Sequence, residues 1–220
     1  MAKITKLEQQ QGNKERVNVY LDDEFAFGLN LMDAAHLHKG QELTEIEIAE
    51  LRHKDAIVKA IDIAANLLSY RPRSTQEIRE RLQKKDYDEF VIEAAIERMI
   101  NLAYLDDRAF ARFWIESRNR SKPRGRTDLR YELHQKGVAD NIINELLDDM
   151  LDEESAAYEA AQAKIRQMRG KTRFEFKQKI GAFLQRRGFN YDAVNQTLQS
   201  LIAELEEQED DFFASGHDEY

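Results

Sequence analysis

Apolar side chains return along this chain at intervals of 51 residues. Ile78, Leu129 and Ile180 keep that step, as do Leu82, Leu133 and Leu184, and then Tyr87, Val138 and Phe189. Ile92, Ile143 and Val194 follow, then Ile96, Leu147 and Leu198, then Met99, Met150 and Leu201. A chain that is 42% apolar does not place six positions in threefold register by chance, so the spacing marks an internal repeat. Within each unit the first two positions form an i,i+4 pair and the last three an i, i+4, i+7 stripe, each the spacing of one helix face. Gly137 and Gly188 fall at one repeat position between these two helices, where a left-handed residue ends the first of them. Asp86 occupies that position in the first unit and tolerates the same conformation. A longer helix precedes each pair, at about 56–69, 108–120 and 154–168. The repeat thus predicts three-helix modules at 55–104, 105–151 and 152–205. One such module is too small to bury its own apolar face, so neighbours must stack. The expected fold class is mostly α, an elongated tandem array of three three-helix modules.

Residues 1–54 read differently. Val17, Val19 and Leu21 alternate with Asn18 and Tyr20, and Asp22-Asp23-Glu24 supplies turn chemistry before Phe25–Gly28, which predicts a β-hairpin. A short helix is expected near Leu31–His38 with Gly40 as its stop, and Thr44 with Glu47 forms a capping box opening another through Leu51. Beyond the third module, 206–220 is expected to be an acidic disordered tail. A partner-docking or self-masking strip that mimics nucleic acid is the other reading.

Composition narrows the chemistry. With no Cys, thiol catalysis, Cys-ligated zinc and disulfides are excluded. Two Pro and nine Gly suit a helical protein better than a turn-rich β one. No apolar run reaches bilayer-spanning length and the start lacks a signal-peptide core, so a cytoplasmic protein without membrane contact is expected. The net charge of −9 excludes a simple polycation, but it hides a segregation that follows the repeat. Residues 71–85 hold six basic against two acidic side chains, 117–136 seven against two, and 164–187 nine against one. Between them, 86–107 holds seven acids and one Arg, and 139–160 eight acids and no base. Stacked in register, the modules would present one basic ridge and one acidic ridge. Solvated side chains with ion pairs between modules are the plain reading of any single Arg. Like charges gathered at three successive corners, however, repel unless something negative binds there. The candidate partner-binding residues are Arg71, Arg73 and Arg79 in the first module, then Arg120, Lys122, Arg124, Arg126 and Arg130 in the second. In the third they are Arg169, Lys171, Arg173, Lys177, Arg186 and Arg187.

Other motifs carry less. Asp106 and Asp107 could bind a metal, but they stand where a helix should start and where carboxylates cap free N–H groups. Phe110 and Trp114 could stack bases or pack between helices. His36 and His38 lack further ligands at metal-binding spacing. No phosphate loop or nucleophile motif is present. No catalytic residue, metal or cofactor is expected, and the protein is not read as an enzyme.

Tyr104-Leu105-Asp106-Asp107 with Phe110-Ala111 and Arg118, then Gly125–Leu129, Glu132-Leu133 and Lys136-Gly137-Val138, resembles the RecX regulatory proteins. Arg187-Gly188-Phe189, Arg71-Pro72-Arg73-Ser74 and the Val17–Gly28 segment resemble the same pattern, so the likeness spans about 15–205 in order. The resemblance implies tandem three-helix repeats and a modulator, usually an inhibitor, of the RecA recombinase. Such a protein lies in the groove of the RecA filament and suppresses ATP hydrolysis, strand exchange and the co-protease activity behind the SOS response. The partners it implies are the RecA filament and, weakly or through RecA, single-stranded DNA, with the protein itself a monomer. A stand-alone DNA-binding helical protein is the alternative. It fits poorly, because a recognition helix must approach phosphates and the third helices are acidic. On the sequence alone, reversing Arg124, Arg126 and Arg130 to Glu is expected to weaken inhibition while leaving the melting temperature nearly unchanged.

Overall fold

The alternating N-terminal segment belongs to a four-stranded antiparallel sheet, larger than the hairpin expected. In a computed structural model describing residues 1–209 and 211–214, β1 (Ala2–Gln9), β2 (Arg16–Leu21), β3 (Glu24–Asn30) and β4 (Glu42–Leu43) are arranged in the order β3-β2-β1-β4. Asp22 and Asp23 both take positive φ, 48° and 72°, giving β2 and β3 the two-residue turn that matches strand twist. β1 escaped the sequence reading because its apolar residues, Ile4 and Leu7, are three apart rather than two. A register shift between Ile4 and Lys6 bulges the strand at Thr5, which carries both side chains to the core.

After a one-turn helix α1 (Leu31–Ala34), shorter than expected, Thr44 caps α2 (Glu45–Tyr70). The capping box is present: Glu47 accepts from the Thr44 amide at 2.7 Å, and the Glu47 amide donates to Thr44 Oγ1 at 3.2 Å. The helix does not stop at Leu51, however. Its 26 residues fuse the two helices anticipated on either side of that point, since nothing between Leu51 and Ala56 breaks a helix. The fused helix is tied to the sheet by an ion pair from Arg16 on β2 to Asp55, which is 5% exposed. Lys59 adds a second contact to Asp55 at 2.7 Å.

The chain divides into two compact units, Met1–Leu105 and Asp106–Tyr220. The first comprises the sheet and the module α2, α3 (Thr75–Gln83) and α4 (Glu89–Asn101). The second holds two modules, α5 (Asp107–Ser121), α6 (Arg126–Gln135) and α7 (Asp140–Met150), then α8 (Glu153–Ile165), α9 (Arg173–Gln185) and α10 (Tyr191–Gln208). Every repeat position packs inward: all are buried except Tyr87 and Met150, which are partly buried against the same cores. Asp86, Gly137 and Gly188 all have positive φ, as the repeat requires. Ala103 (φ 57°) also takes that conformation after α4, where no turn residue in the sequence signals it.

Within the second unit, α6 of one module starts directly on the turn that ends α9 of the next. The Gly125 amide donates to the Arg187 carbonyl at 2.8 Å and the Thr127 amide to the Gly188 carbonyl at 3.2 Å. A Cβ on Gly125 would lie 2.2 Å from the backbone of Gly188 and Phe189. Glu153 closes the same junction by accepting from the Asn190 amide and Nδ2, both at 2.9 Å, and from the Arg126 amide at 3.3 Å.

Part of the segment expected to be an acidic tail is folded. Helix α10 runs to Gln208, and Phe212 is 4% exposed in the core of the third module. Two adjacent aromatics offer more buried apolar surface than a solvating tail can leave in water. The remainder of the expected tail, 210 and 215–220, lies outside the described residues.

Two stability tests follow. Asp55→Ala should cost about 3 kcal/mol or more in chemical denaturation, since it strands the Arg16 guanidinium in a buried site. Gly125→Ala should destabilise by about 2 kcal/mol or more, because backbone must part to admit the methyl. Gly12→Ala, with nothing within 4 Å, should stay within about 0.5 kcal/mol.

Candidate functional site

Half of the fourteen candidate cations meet one of the protein's own carboxylates. In the first module Arg71 grips Glu77 with both terminal nitrogens, at 3.0 and 3.1 Å. Arg73 donates from Nε to the Leu67 carbonyl at 3.3 Å. Arg79 crosses from α3 to α4, reaching Glu93 at 2.5 Å and also Glu89. Its hydrogen bond holds the Glu93 carboxyl below the usual carboxylate range.

The second module repeats the device. Arg130 donates to Asn144 at 2.6 Å, the pair of positions lying 51 residues beyond Arg79 and Glu93. Arg126 crosses from α6 to α7, bonding Asp148 at 2.7 Å and the Leu147 carbonyl at 3.2 Å. Arg124 is held by Asp128 at 2.7 Å, and its Nε is buried without a partner. Arg187 arrives from α9, stacks 4.6 Å over Phe183 and donates to the Pro123 carbonyl at 3.2 Å. Burial, with the nearby Arg124 guanidinium, pulls the Arg187 pKa below its ordinary value. Arg124, Arg126 and Arg187 therefore belong to the junction between modules.

In the third module Arg173 Nε lies 2.5 Å from Glu206 on α10, while Lys171 is a loose 3.8 Å from Glu175. Arg169 meets Glu209 at 3.1 Å and Asp211 at 3.4 Å. Among the described residues, four of the candidate cations keep neither ion pair nor side-chain hydrogen bond: Arg120, Lys122, Lys177 and Arg186, all exposed. Arg81, Lys84, Lys85 and Lys179 are further exposed cations of the same corners, outside the candidate set. In each module an acid of the third helix answers a base of the second, which lowers the repulsion expected of the corners.

The other motifs resolve structurally. The Asp106 carboxylate caps α5, accepting from the amides of Arg108 and Ala109 at 2.8 and 3.2 Å. Phe110 is buried and packs on Trp114, whose Nε1 donates to Glu132 at 2.7 Å beneath the Arg118 guanidinium. Among the described residues, no group of three His, Asp or Glu is placed to hold a metal. Sequence reasoning missed two exposed rings, Tyr131 and Phe174, each directly following an Arg in a corner. That basic–aromatic adjacency was the available signal.

Comparison with known proteins matches this architecture segment by segment. The model of the regulatory protein RecX N-terminal domain matches residues 2–44. Those of the first, second and third RecX three-helix domains match 60–99, 106–147 and 152–198. The chain is 34% identical over 203 residues to regulatory protein RecX of Bacillus licheniformis, covering 90% of this chain and 77% of that protein. It is 33% identical over 209 residues to regulatory protein RecX of Clostridium botulinum, covering 92% and 97%. A crystal structure of regulatory protein RecX aligns with a TM-score of 0.74 at 28% identity, over 91% of this chain and 100% of that one. RecX from Lactobacillus salivarius aligns at 0.62 and 25% identity, over 68% and 98%.

The geometry changes the mutational expectation. Reversing Arg124 and Arg126 to Glu should cost about 1 kcal/mol or more in urea denaturation, since it sets like charges against Asp128 and Asp148 and puts a carboxylate where the partly buried Arg124 stands. Reversing Arg120, Lys122 and Arg186 should stay within about 0.5 kcal/mol and so probes binding cleanly.

Proposed function

Because the chain belongs to the RecX family of regulatory proteins, we propose that it binds the RecA–single-stranded DNA filament and inhibits its ATPase, strand-exchange and co-protease activities. In this reading it restrains homologous recombination and DNA repair and damps the SOS response. It works in the cytoplasm as a monomer and meets single-stranded DNA chiefly through RecA. The observation that carries the proposal is the succession of four family domains, in order, over nearly the whole chain.

The physical arrangement supports it. Three modules that repeat apolar positions every 51 residues offer a recurring helical framework to a partner whose own subunits repeat. The cations left open within them supply charge for an acidic or phosphate-bearing partner without cost to the fold. Among the described residues, no helix is long and apolar enough to cross a membrane.

The test is RecA's ATP hydrolysis on single-stranded DNA, titrated with this protein at fixed salt. Suppression at concentrations well below that of RecA is expected. No suppression by protein that circular dichroism shows to be folded would overturn the proposal. Reversal of Arg120, Lys122 and Arg186 to Glu should raise the half-inhibitory concentration by about tenfold, the scale expected when a few exposed cations are replaced by anions.

A further inference from the structure

The C-terminal segment packs against the third module in a way that the stability of the module alone does not explain. Phe212 is inserted in the core and meets Phe213 edge-on at 4.9 Å, while Phe213 meets Phe176 at 5.4 Å. Two backbone bonds fix the segment to the turn before α9. The Gly170 amide donates to the Phe212 carbonyl at 2.9 Å, and the Ala214 amide to the Lys171 carbonyl at 3.1 Å. This anchor is apolar and backbone in nature. The carboxylates that precede it do something else: Glu206 sits on Arg173, and Glu209 and Asp211 sit on Arg169. Both guanidiniums are more than half exposed, at 52% and 57%, and ion pairs that open to water contribute little to stability.

What these carboxylates cover has the make-up of a binding platform. Arg169, Lys171 and Arg173 are followed by Phe174, whose ring is 61% exposed on the first turn of α9. Lys177, one turn further on, is exposed and unpaired. A row of cations with an open aromatic face is what single-stranded nucleic acid requires: phosphates meet the charges and an unpaired base stacks on the ring. A duplex offers no free base, and an acidic peptide has no use for the ring. Glu206, Glu209 and Asp211 stand on the guanidiniums where phosphates would stand.

We infer that residues 206–209 and 211–214 form an acidic strap that competes with single-stranded nucleic acid for a platform made by Arg169, Lys171, Arg173, Phe174 and Lys177. The inference rests on the nucleic-acid side of the proposed function and adds an autoinhibitory contact to it. Displacement of the carboxylates frees two arginines while Phe212 keeps the module closed, so binding can proceed without unfolding.

The experiment uses the full chain and a fluorescent oligothymidylate of about 16 nucleotides, the upper range of such sites, with no RecA present. The variant Glu206→Gln, Glu209→Gln, Asp211→Asn should bind about tenfold tighter than wild type at low salt. Two freed cations should steepen the dependence of log affinity on log salt by about 1.4, so the advantage shrinks about sevenfold between about 50 and 200 mM salt. A control with the same change in net charge, Glu116→Gln, Glu154→Gln, Glu159→Gln, should bind like wild type. Adding Phe174→Ala to the strap variant should weaken binding by about fivefold or more. The inference is overturned if the control gains as much as the strap variant, if the salt slope does not change, if Phe174→Ala has no effect, or if no variant binds the oligonucleotide. Each of these outcomes leaves the filament reading to be judged by the ATPase titration, which does not depend on the strap.

Discussion

The second unit depends on a place where two backbones touch. Gly125, at the start of α6, rests on the carbonyl of Gly188 at the end of α9, and each residue is glycine for its own reason. Gly188 must be left-handed to end its helix, with φ of 79°. Gly125 has ordinary φ, −75°; it is glycine because a Cβ there would sit inside the neighbouring backbone. The contact also answers a general problem of helix starts, where the first amide groups lack intrahelical partners. α6 has no capping side chain. Its early amides are met instead by carbonyls of the next module and by Glu153. One module therefore supplies the cap of another, which couples their folding more tightly than apolar stacking alone would.

That junction also explains why charge is a poor guide to the binding surface. Arg124, Arg126 and Arg187 stand out in the sequence because they crowd into basic runs, yet they serve as donors to the protein's own groups: Arg124 and Arg187 to Asp128 and the Pro123 carbonyl beside the junction, and Arg126 to Asp148 across its own module. Opposite charges sorted onto successive helices have two geometric outcomes, outward-facing ridges or face-to-face pairs, and composition does not distinguish them. Packing of the third helix against the second brings such pairs together, as Arg79, Arg126 and Arg173 each show with an acid of the following helix. Among the candidate cations, those left open are Arg120, Lys122 and Arg186 at or beyond helix ends and Lys177 within α9, none of which meets an acid of a third helix.

Much of the fold was legible because period, turn residues and caps agreed. The 51-residue step located the buried positions, and the left-handed requirement at Asp86, Gly137 and Gly188 located the ends of the second helices. What was not legible required partners distant in sequence. β1 was hidden by a bulge that breaks its alternation. The continuity of α2 was hidden by a capping box that marks a start but says nothing about an end. The burial of Phe212 was hidden by the acids around it, whose composition resembles that of an unfolded tail. At the candidate site, the sequence identified the corners but not which cations remain free, since that depends on side-chain pairing across helices.

The departure of the third module from the repeat is where its surface differs most. The caps of the third helices, Asp88, Ala139 and Asn190, keep the step of 51, and so do Ser74 and Gly125 at the starts of α3 and α6. By that step α9 should be capped at residue 176, yet its cap is Thr172, four residues earlier. Four residues are about one helical turn, and this added turn is the one that carries Arg173 and Phe174. Its capping box, with Thr172 and Glu175 exchanging backbone bonds of 3.1 and 3.2 Å, shows that the turn is locally well specified rather than frayed. A turn that the repeat does not require, set beside the C-terminal strap, gives the third module a surface its two predecessors lack. The three modules are therefore not equivalent in surface. Two modules follow the common plan, and the third adds a helix turn whose charges the chain's own carboxylates already cover.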